Sequence, residues 1–306
     1  MRLIFAGTPS VAVPSLESLT AAEHQVVTVI SRADAPLGRK RVLTPSSVAA
    51  WAQHRGVPVI KANRLDQTVT AEIVALRPDL GVIVAYGGLV REPLLSTPRL
   101  GWINLHFSLL PRWRGAAPVQ RAIMAGDTLT GAAVFQLVAE LDAGGVFATH
   151  TRAIGADETA GELLSALALD GAGLLTAVVS GLEDGTAHAT QQVGEPTTAA
   201  KLSLEDARVR WAEPAADVYN RIRAVTPEPG AFTHIDGQRF KLRVVRMATA
   251  DGALPPGQVA QVDSRILIGT ATGPLELLEV QPAGKRPMPA ADWWRGRTHD
   301  AATVAR

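Results

Sequence analysis

Short apolar runs alternate with segments of helical period along the first half of the chain. Each run has the length of a buried strand, and apolar residues in the segments between runs recur at helical spacing. The predicted strands cover residues 3–5, 26–30, 57–60, 80–85 and 102–106, and the predicted helices cover the stretch after residue 9 and residues 46–55, 69–76 and 118–125. This alternation predicts a largely parallel sheet with helices on its faces and right-handed crossovers. A strand pair at 130–138 and 146–154 and a helix at 160–180 complete the predicted α/β domain.

The pattern changes in the last third of the chain to brief strands separated by turn signals. Strands are predicted at 232–235, 240–245, 265–268 and 275–280. Their spacing of about ten residues predicts a small barrel or sandwich. The polar stretch before them, with Gly194 and Pro196, is typical of a connector. We therefore expect an α/β domain over residues 1–188, a linker over 189–206 and a β domain over 207–306.

Composition narrows the class of protein. Apolar residues make up 47% of the 306 residues and charged residues 19%, so the chain is expected to fold around a core. No apolar run approaches the roughly 18 to 20 residues that span a bilayer, and the chain opens directly in a predicted strand. We therefore expect neither a membrane span nor a secretory signal. The absence of cysteine excludes disulfides, thiolate ligands and a Cys nucleophile, and it fits a reducing cytoplasm.

The net charge of +1 hides a difference between the two parts of the chain. Residues 1–206 carry 16 basic and 19 acidic side chains, whereas residues 207–306 carry 14 and 10. A slightly basic surface without a role is one interpretation. Contact of the C-terminal part with a polyanion is the other.

Polar side chains at the end of the fifth predicted strand are the first candidates for chemistry. Asn104 and His106 are two residues apart, so they share one face of the strand. Carboxyl ends of parallel strands open onto the binding crevice of such a sheet, so a catalytic role and a structural role both stay open for His106. A carboxylate partner for the imidazole is needed, and the turn after the next strand offers Asp142 and Glu140. Spacing alone leaves the choice between them open.

A run that begins at this strand resembles the signature of the folate-dependent formyltransferase family. The run is Asn-Leu-His-Phe-Ser-Leu-Leu-Pro-Arg-Trp-Arg-Gly-Ala-Ala-Pro-Val-Gln at 104–120. Further matching pieces occur in order, namely Phe-Ala-Gly-Thr-Pro at 5–9, Ala-Pro-Leu-Gly-Arg at 35–39, Val-Ala-Tyr-Gly at 84–87, Leu-Asp-Ala-Gly at 141–144, Ala-Lys-Leu-Ser at 200–203 and Pro-Glu-Pro-Gly-Ala-Phe at 227–232. The resemblance spans nearly the whole chain. Gly145 departs from the family, which commonly has a second acid there, and this argues against a role for that acid here.

The resemblance implies a Rossmann-like formyltransferase domain joined to a C-terminal barrel of the OB type. It also implies a reaction in which the formyl group moves from N10 of 10-formyltetrahydrofolate to the α-amino group of methionine on initiator tRNA. The matching residues imply that Asn104, His106 and Asp142 act in catalysis. The folate-contacting residues implied in the same way are Ser108, Leu109, Leu110, Pro111, Tyr86 and Leu89.

These residue types suit acyl transfer between two nitrogens. A neutral amine attacks the formyl carbon and forms a tetrahedral oxyanion, to which Asn104 can donate a hydrogen bond. His106 can donate to the same oxygen or pass a proton to N10, and Asp142 is expected to favour the imidazolium and fix its tautomer. The group that takes the proton from the amine stays open, and a bound water relaying to Asp142 is one hypothesis. The reaction needs no covalent enzyme intermediate and no metal.

Recognition of a tRNA requires basic surface. Residues 31–47, expected to be irregular, hold Arg39, Lys40 and Arg41, and we expect this loop to enter the acceptor stem. On the barrel, Lys241 and Arg243 are expected to contact phosphates from one strand face, while Leu242 and Val244 point inward. We expect a cytoplasmic monomer with no membrane partner.

Two other functions share parts of this pattern. A folate formyltransferase that acts on a small-molecule amine would keep Asn104, His106 and Asp142 but need no basic loop. A non-catalytic RNA-binding protein on the same fold would need the basic surface alone.

Overall fold

A computed structural model describes residues 1–38, 40–248, 254–297 and 302–306. Contacts divide the chain into two compact units. The first comprises Met1–Pro118, Leu129–Ala153 and Leu164–Ala199, and the second comprises Val119–Thr128, Ile154–Leu163 and Ala200–Arg306. The three-part division of the sequence analysis stays a prediction.

The described residues of the first unit form eleven strands. They are β1 (Arg2–Gly7), β2 (Gln25–Ser31), β3 (Ala35–Leu37), β4 (Val42–Thr44), β5 (Val59–Lys61), β6 (Leu80–Val84), β7 (Trp102–His106), β8 (Arg114–Gly115), β9 (Leu129–Gln136), β10 (Val146–Ala153) and β11 (Thr198–Ala199). The first five helices of the chain are α1 (Val13–Ala21), α2 (Ser47–His54), α3 (Gln67–Ala75), α4 (Pro118–Met124) and α5 (Ala160–Glu183).

Seven strands form the main sheet in the order β10-β9-β7-β6-β1-β2-β5. In this order, the neighbouring strands from β5 through β2, β1 and β6 to β7 pair in parallel. The pairs of β7 with β9 and of β9 with β10 are antiparallel. Leu3, Ile4 and Phe5 on β1 are fully buried, as in a sheet that is covered on both faces. The predicted α/β class is confirmed. Because of this strand order, β7 lies inside the sheet, and its carboxyl end lies next to β6 and β9.

Local signals set the beginnings of two helices. The Ser46 side chain accepts from the backbone N–H of Ala49 at 3.0 Å, and the Asp66 side chain accepts from Val69 at 3.0 Å. Each side chain satisfies a backbone donor that the first helical turn leaves unpaired. The helices predicted at 46–55 and 69–76 therefore begin close to their predicted positions.

Helix α5 is long and apolar enough to cross a membrane by length and composition alone, although the sequence analysis expected no such run. In the structure its Leu167, Leu175 and Val179 side chains are fully buried. A buried helix of a protein core meets the same length and composition criteria.

The part of the second unit that the structure describes forms seven more strands and two further helices. They are β12 (Phe232–Ile235), β13 (Gln238–Met247), β14 (Gln258–Val262), β15 (Arg265–Ile268), β16 (Leu275–Pro282), β17 (Met288–Pro289), β18 (Thr303–Val304), α6 (Ala215–Ala224) and α7 (Ala290–Arg295). The strand order is β12-β13-β16-β15-β14-β18, with β17 paired to β16. Residues at the two ends of this order also meet, because His234 and Arg306 exchange two backbone hydrogen bonds of 2.9 Å. The sheet therefore closes into a barrel rather than a sandwich.

An ion pair joins separate pieces of the second unit. Arg121 of α4 donates to both carboxylate oxygens of Asp206, at 2.8 and 3.3 Å. The Ser203 backbone N–H and hydroxyl donate to the same carboxylate at 2.7 and 2.8 Å. Burial alone would raise the pKa of Asp206, but these hydrogen bonds outweigh it and lower the pKa to about 2.

Two local predictions are wrong. Residues 31–47 are not irregular, because β3 and β4 pair as an antiparallel hairpin with Leu37 opposite Val42. Val244 does not point inward, because it is 46% exposed. The register of β13 shifts between Leu242 and Val245, as at a β-bulge, so that Val245 takes the inward position.

Candidate active site

Strand β7 presents the two polar residues that the alternation predicted. His106 ends the strand with 6% of its surface exposed, and Asn104 precedes it on the same face, half-buried. The Asn104 side chain makes no hydrogen bond to protein in the part of the chain that the structure describes. Its amide is therefore available to a ligand at the edge where the parallel strands end.

Both nitrogens of the His106 ring face oxygen atoms. Nε2 lies 2.8 Å from the backbone carbonyl oxygen of Trp113, and Nδ1 lies 3.8 Å from Oδ2 of Asp142. A carbonyl only accepts hydrogen bonds, so the proton of the neutral ring belongs on Nε2, and Nδ1 keeps its lone pair. Phe135 packs edge-on against the ring with the centroids 6.2 Å apart.

Burial lowers the pKa of the His106 imidazole below its usual value of 6.5, and the Asp142 carboxylate and the Trp113 carbonyl oppose that shift. The ring is consequently neutral at neutral pH. The carboxylate stands where it stabilises a proton that arrives on Nδ1.

Asp142 reaches the imidazole from the turn between β9 and β10. Its backbone adopts φ of +47°, and its Oδ2 accepts the backbone N–H of Gly115 at 2.7 Å. A Cβ on Gly144 would lie 1.7 Å from the carbonyl oxygen of Gln136, so only glycine fits at that position of the turn. The Glu140 side chain is 76% exposed and lies 3.5 Å from Arg114. The geometry thus selects Asp142 over Glu140 as the partner of His106.

The loop after β7 is held by its own hydrogen bonds. The buried Ser108 hydroxyl donates to the Arg112 carbonyl at 2.6 Å. Leu109 and Leu110 stay half-buried, and Pro111 is buried. Ser108 therefore shapes the loop, while the leucine side chains and the backbone remain accessible in part to a ligand.

The segment after β6 carries two residues that were predicted to contact folate, and they differ in exposure. The Tyr86 side chain is 1% exposed and its hydroxyl donates to the Ala62 carbonyl at 2.7 Å, so the structure places the phenol in the core. Leu89 is 63% exposed. Arg32 joins this segment to the loop after β5, because its guanidinium donates to the Gly87 carbonyl at 2.7 Å and to the Asn63 carbonyl at 3.2 Å.

The predicted basic residues occupy different surroundings. Lys40 and Arg41 are exposed near the tip of the β3–β4 hairpin and form no ion pair within the described ranges, while Arg39 lies outside the described residues. On the barrel, Lys241 is half-buried, and Arg243 is exposed and lies 3.6 Å from Glu279. Among the described residues, no acidic side chain neutralises Lys40 or Arg41, whereas Glu279 partly neutralises Arg243.

Several contacts of the site could not be found from sequence patterns. The Trp113 carbonyl and the Gly115 N–H are backbone groups that any residue type would supply. Gln192, from the connector, donates to the carbonyls of the turn that carries Asp142. Among the described residues, no group of three His, Cys, Asp or Glu side chains could hold a metal ion.

Comparison with known proteins finds two family models that match the chain. The chain matches the model of a family described as formyl transferase over residues 1–179 and that of a formyl transferase C-terminal domain over residues 201–298. A methionyl-tRNA formyltransferase of Clavibacter sepedonicus is 60% identical over 298 residues, which cover 97% of this chain and 98% of that protein. One of Leifsonia xyli subsp. xyli is 62% identical over 301 residues, covering 98% and 99%.

Solved structures share the fold at lower identity. An N-formyltransferase from Helicobacter canadensis, in complex with folinic acid and dTDP-3-aminofucose, has a TM-score of 0.70 at 17% identity and covers 92% of this chain and 98% of that chain. HypX from Aquifex aeolicus in complex with tetrahydrofolic acid has a TM-score of 0.64 at 18% identity. The match covers 100% of this chain and 50% of HypX, so this chain spans about half the length of that protein.

Proposed function

The chain belongs to the formyltransferase family, and on that premise we propose that it transfers the formyl group of 10-formyltetrahydrofolate to the α-amino group of methionine on initiator tRNA. Relatives of about this length, at 60% and 62% identity, carry the name of that activity. The observation that carries the proposal is the arrangement around His106. Its Nδ1 faces the Asp142 carboxylate at 3.8 Å while Nε2 is occupied by a backbone carbonyl.

The first step in the proposed mechanism is attack of the amine on the formyl carbon. The Nδ1 lone pair of neutral His106 takes the proton that the attacking nitrogen loses. Asp142 stabilises the imidazolium that results, which a buried ring could not sustain alone. This assigns the role of base, which the sequence left open, to the imidazole.

Collapse of the intermediate returns that proton. The imidazolium donates it from Nδ1 to N10 as the bond between N10 and the formyl carbon breaks, so the ring ends neutral and tetrahydrofolate leaves uncharged at N10. The Asn104 amide, which has no hydrogen-bond partner among the described residues, donates a hydrogen bond to the oxyanion between the two steps. Loss of one such donor typically lowers the rate by about 10² to 10³.

Folate is proposed to lie along the loop after β7 and the segment after β6. Leu109, Leu110 and Leu89 offer partly exposed apolar surface for the pterin and its linker. Tyr86 supports this surface from the core rather than through its hydroxyl.

The tRNA is proposed to bind Lys40 and Arg41 of the β3–β4 hairpin and basic residues of the barrel. Lys40 and Arg41, exposed and without ion pairs in the described part of the chain, fit phosphate contacts. Within the second unit, Lys241 and Arg243 are proposed to contact phosphates as well. We propose a cytoplasmic location, because the proposed substrate is a tRNA that serves translation. A small-molecule amine is the alternative acceptor, since the N-formyltransferase from Helicobacter canadensis was solved with an amino sugar nucleotide.

One assay separates these substrates. The protein is incubated with 10-formyltetrahydrofolate and, in parallel, with initiator methionyl-tRNA, elongator methionyl-tRNA, free methionine or a dTDP-amino sugar. We expect formyl transfer to initiator methionyl-tRNA at the highest kcat/KM. Preferred transfer to a free amine would show the alternative acceptor, and binding of tRNA without transfer to any acceptor would show a non-catalytic protein.

A further inference from the structure

We propose that Gln192 is a positioning residue for formyl transfer, which holds the turn carrying Asp142 in place so that Oδ2 of Asp142 and Nδ1 of His106 face each other. Gln192 does not contact either atom. The inference rests on the proposed function, because it assigns to Gln192 an effect on the step in which His106 moves a proton.

Both polar atoms of the Gln192 side-chain amide form hydrogen bonds near the catalytic pair. Its Nε2 donates to the Asp142 carbonyl at 2.8 Å and to the Gly144 carbonyl at 2.9 Å. Its Oε1 accepts from the Arg114 guanidinium, at 2.7 Å from Nη2 and 3.2 Å from Nε. One amide therefore joins the turn that carries Asp142 to the segment that carries Arg114.

The same two segments hold the catalytic pair. Trp113 and Gly115, on either side of Arg114, supply the carbonyl that binds His106 Nε2 and the N–H that binds Asp142 Oδ2. A shift of the turn relative to this segment would change the gap between Asp142 and His106. The Gln192 side chain and the Gly115 N–H supply the short hydrogen bonds that oppose such a shift, and a longer one of 3.5 Å runs from Arg114 to the exposed Glu140.

The turn depends on an external support because of its backbone. Asp142 adopts φ of +47°, a region that residues other than glycine occupy at a cost, although Asp tolerates it better than most. The Gln192 bonds to the carbonyls of Asp142 and Gly144 bracket that conformation. A glutamate at position 192 could still accept from Arg114, but it could not donate to the two carbonyls.

Gln191 provides a matched control. It is the preceding residue, has the same side chain, is exposed, and makes no hydrogen bond in the described part of the chain. The test compares Gln192→Ala, Gln192→Glu and Gln191→Ala with the unchanged protein. The readouts are kcat, both KM values and the pH dependence of kcat.

We expect kcat to fall about 10- to 100-fold in both Gln192 variants, because misplacement of a catalytic group by about 1 Å costs up to 10²-fold. Both KM values should stay within about twofold, since neither substrate contacts Gln192 in the proposed site. Gln191→Ala should match the unchanged protein.

The pH profile separates positioning from a general loss of stability. The charged groups on the segments around the His106 ring are Asp142, Glu140, Arg114 and Arg112. Asp142 raises the pKa of the imidazole, so a displaced carboxylate should move the acid limb of kcat to lower pH. A purely structural role would lower the amount of folded protein without moving that limb.

Each outcome decides the inference. It is overturned if kcat stays within about twofold of the control, if the loss appears in KM alone, or if the acid limb does not move. If Gln192→Ala does not fold, Gln192→Glu, which has the same shape, gives the answer alone. If the unchanged protein transfers no formyl group, the proposed function fails, and the His106 pKa measured by NMR in Gln192→Ala, which adds no charge, still tests the positioning: an unshifted value would refute it.

Discussion

Replacing Asp142 by asparagine removes the charge beside His106 while it keeps the shape of the turn. The asparagine carbonyl oxygen can still accept the Gly115 N–H, which Asp142 accepts at 2.7 Å. The imidazolium loses a negative charge 3.8 Å from Nδ1. At an effective dielectric constant of about 20 that charge is worth about 4 kcal/mol, which would correspond to roughly 10³ in rate if all of it acted in the transition state.

We therefore expect Asp142→Asn to lower kcat by about 10² to 10³ with unchanged KM for both substrates. Because the carboxylate raises the pKa of His106 against the effect of burial, its loss lowers that pKa further. Steady-state kinetics between pH 5 and 8 should accordingly show a smaller kcat whose acid limb lies at lower pH.

The chain offers a matched control for this change. Asp170 forms a similar pair with His150, at 3.4 Å between Oδ2 and Nε2, but both side chains are more than 40% exposed. Asp170→Asn should leave kcat and its pH dependence unchanged, since exposed ion pairs contribute little. A kcat for Asp142→Asn within about fivefold of that control, or an acid limb that moves to higher pH, would refute the role of Asp142.

Three further predictions concern the surroundings of the site. Lys40→Gln combined with Arg41→Gln should lower the slope of log K against log salt for tRNA binding by about one per lost phosphate contact, measured by titration at several salt concentrations; an unchanged slope would remove the hairpin from the tRNA site. Arg32→Lys should raise KM for 10-formyltetrahydrofolate several-fold with little change in kcat, because an ammonium cannot replace the guanidinium that bridges the carbonyls of two loops; an unchanged KM would contradict this. Asp206→Asn should lower the free energy of unfolding at pH 7 by about 1 kcal/mol after allowance for solvent screening. Since Arg121 and its neighbours lower the Asp206 pKa to about 2 from 3.8, that stabilisation is present above pH 3.8 and is lost as the pH falls towards 2, which urea titrations at pH 7 and pH 2.5 can check.

The elements that were predicted well have apolar residues at regular spacing in the sequence. The strands of the main sheet and helices such as α2 and α5 follow apolar spacing that few other structures satisfy. The β3–β4 hairpin was missed because Pro36 and Gly38 dominate a short, exposed segment with little apolar pattern. The reversal at Val244 was missed because a β-bulge adds a residue to one strand only, and alternation cannot show where that happens.

For the candidate site too, the sequence predicts some features and leaves others open. Period-two alternation was enough to place Asn104 and His106 on one face. The choice of Asp142 over Glu140 depends on the path of the turn, which the close approach of Gly144 to Gln136 sets in three dimensions. The proton position on the imidazole follows from a backbone carbonyl, and no residue type in the sequence encodes that contact.

The proposed mechanism requires His106 to be a neutral base whose proton sits on Nε2. Nitrogen-15 NMR of the imidazole across a pH titration reports both properties, with the signal of His106 assigned by its absence in His106→Gln. We expect the Nε2–H tautomer at pH 7 and a His106 pKa below 6.5. A proton on Nδ1 in the neutral ring, or a His106 pKa above 6.5, would contradict it.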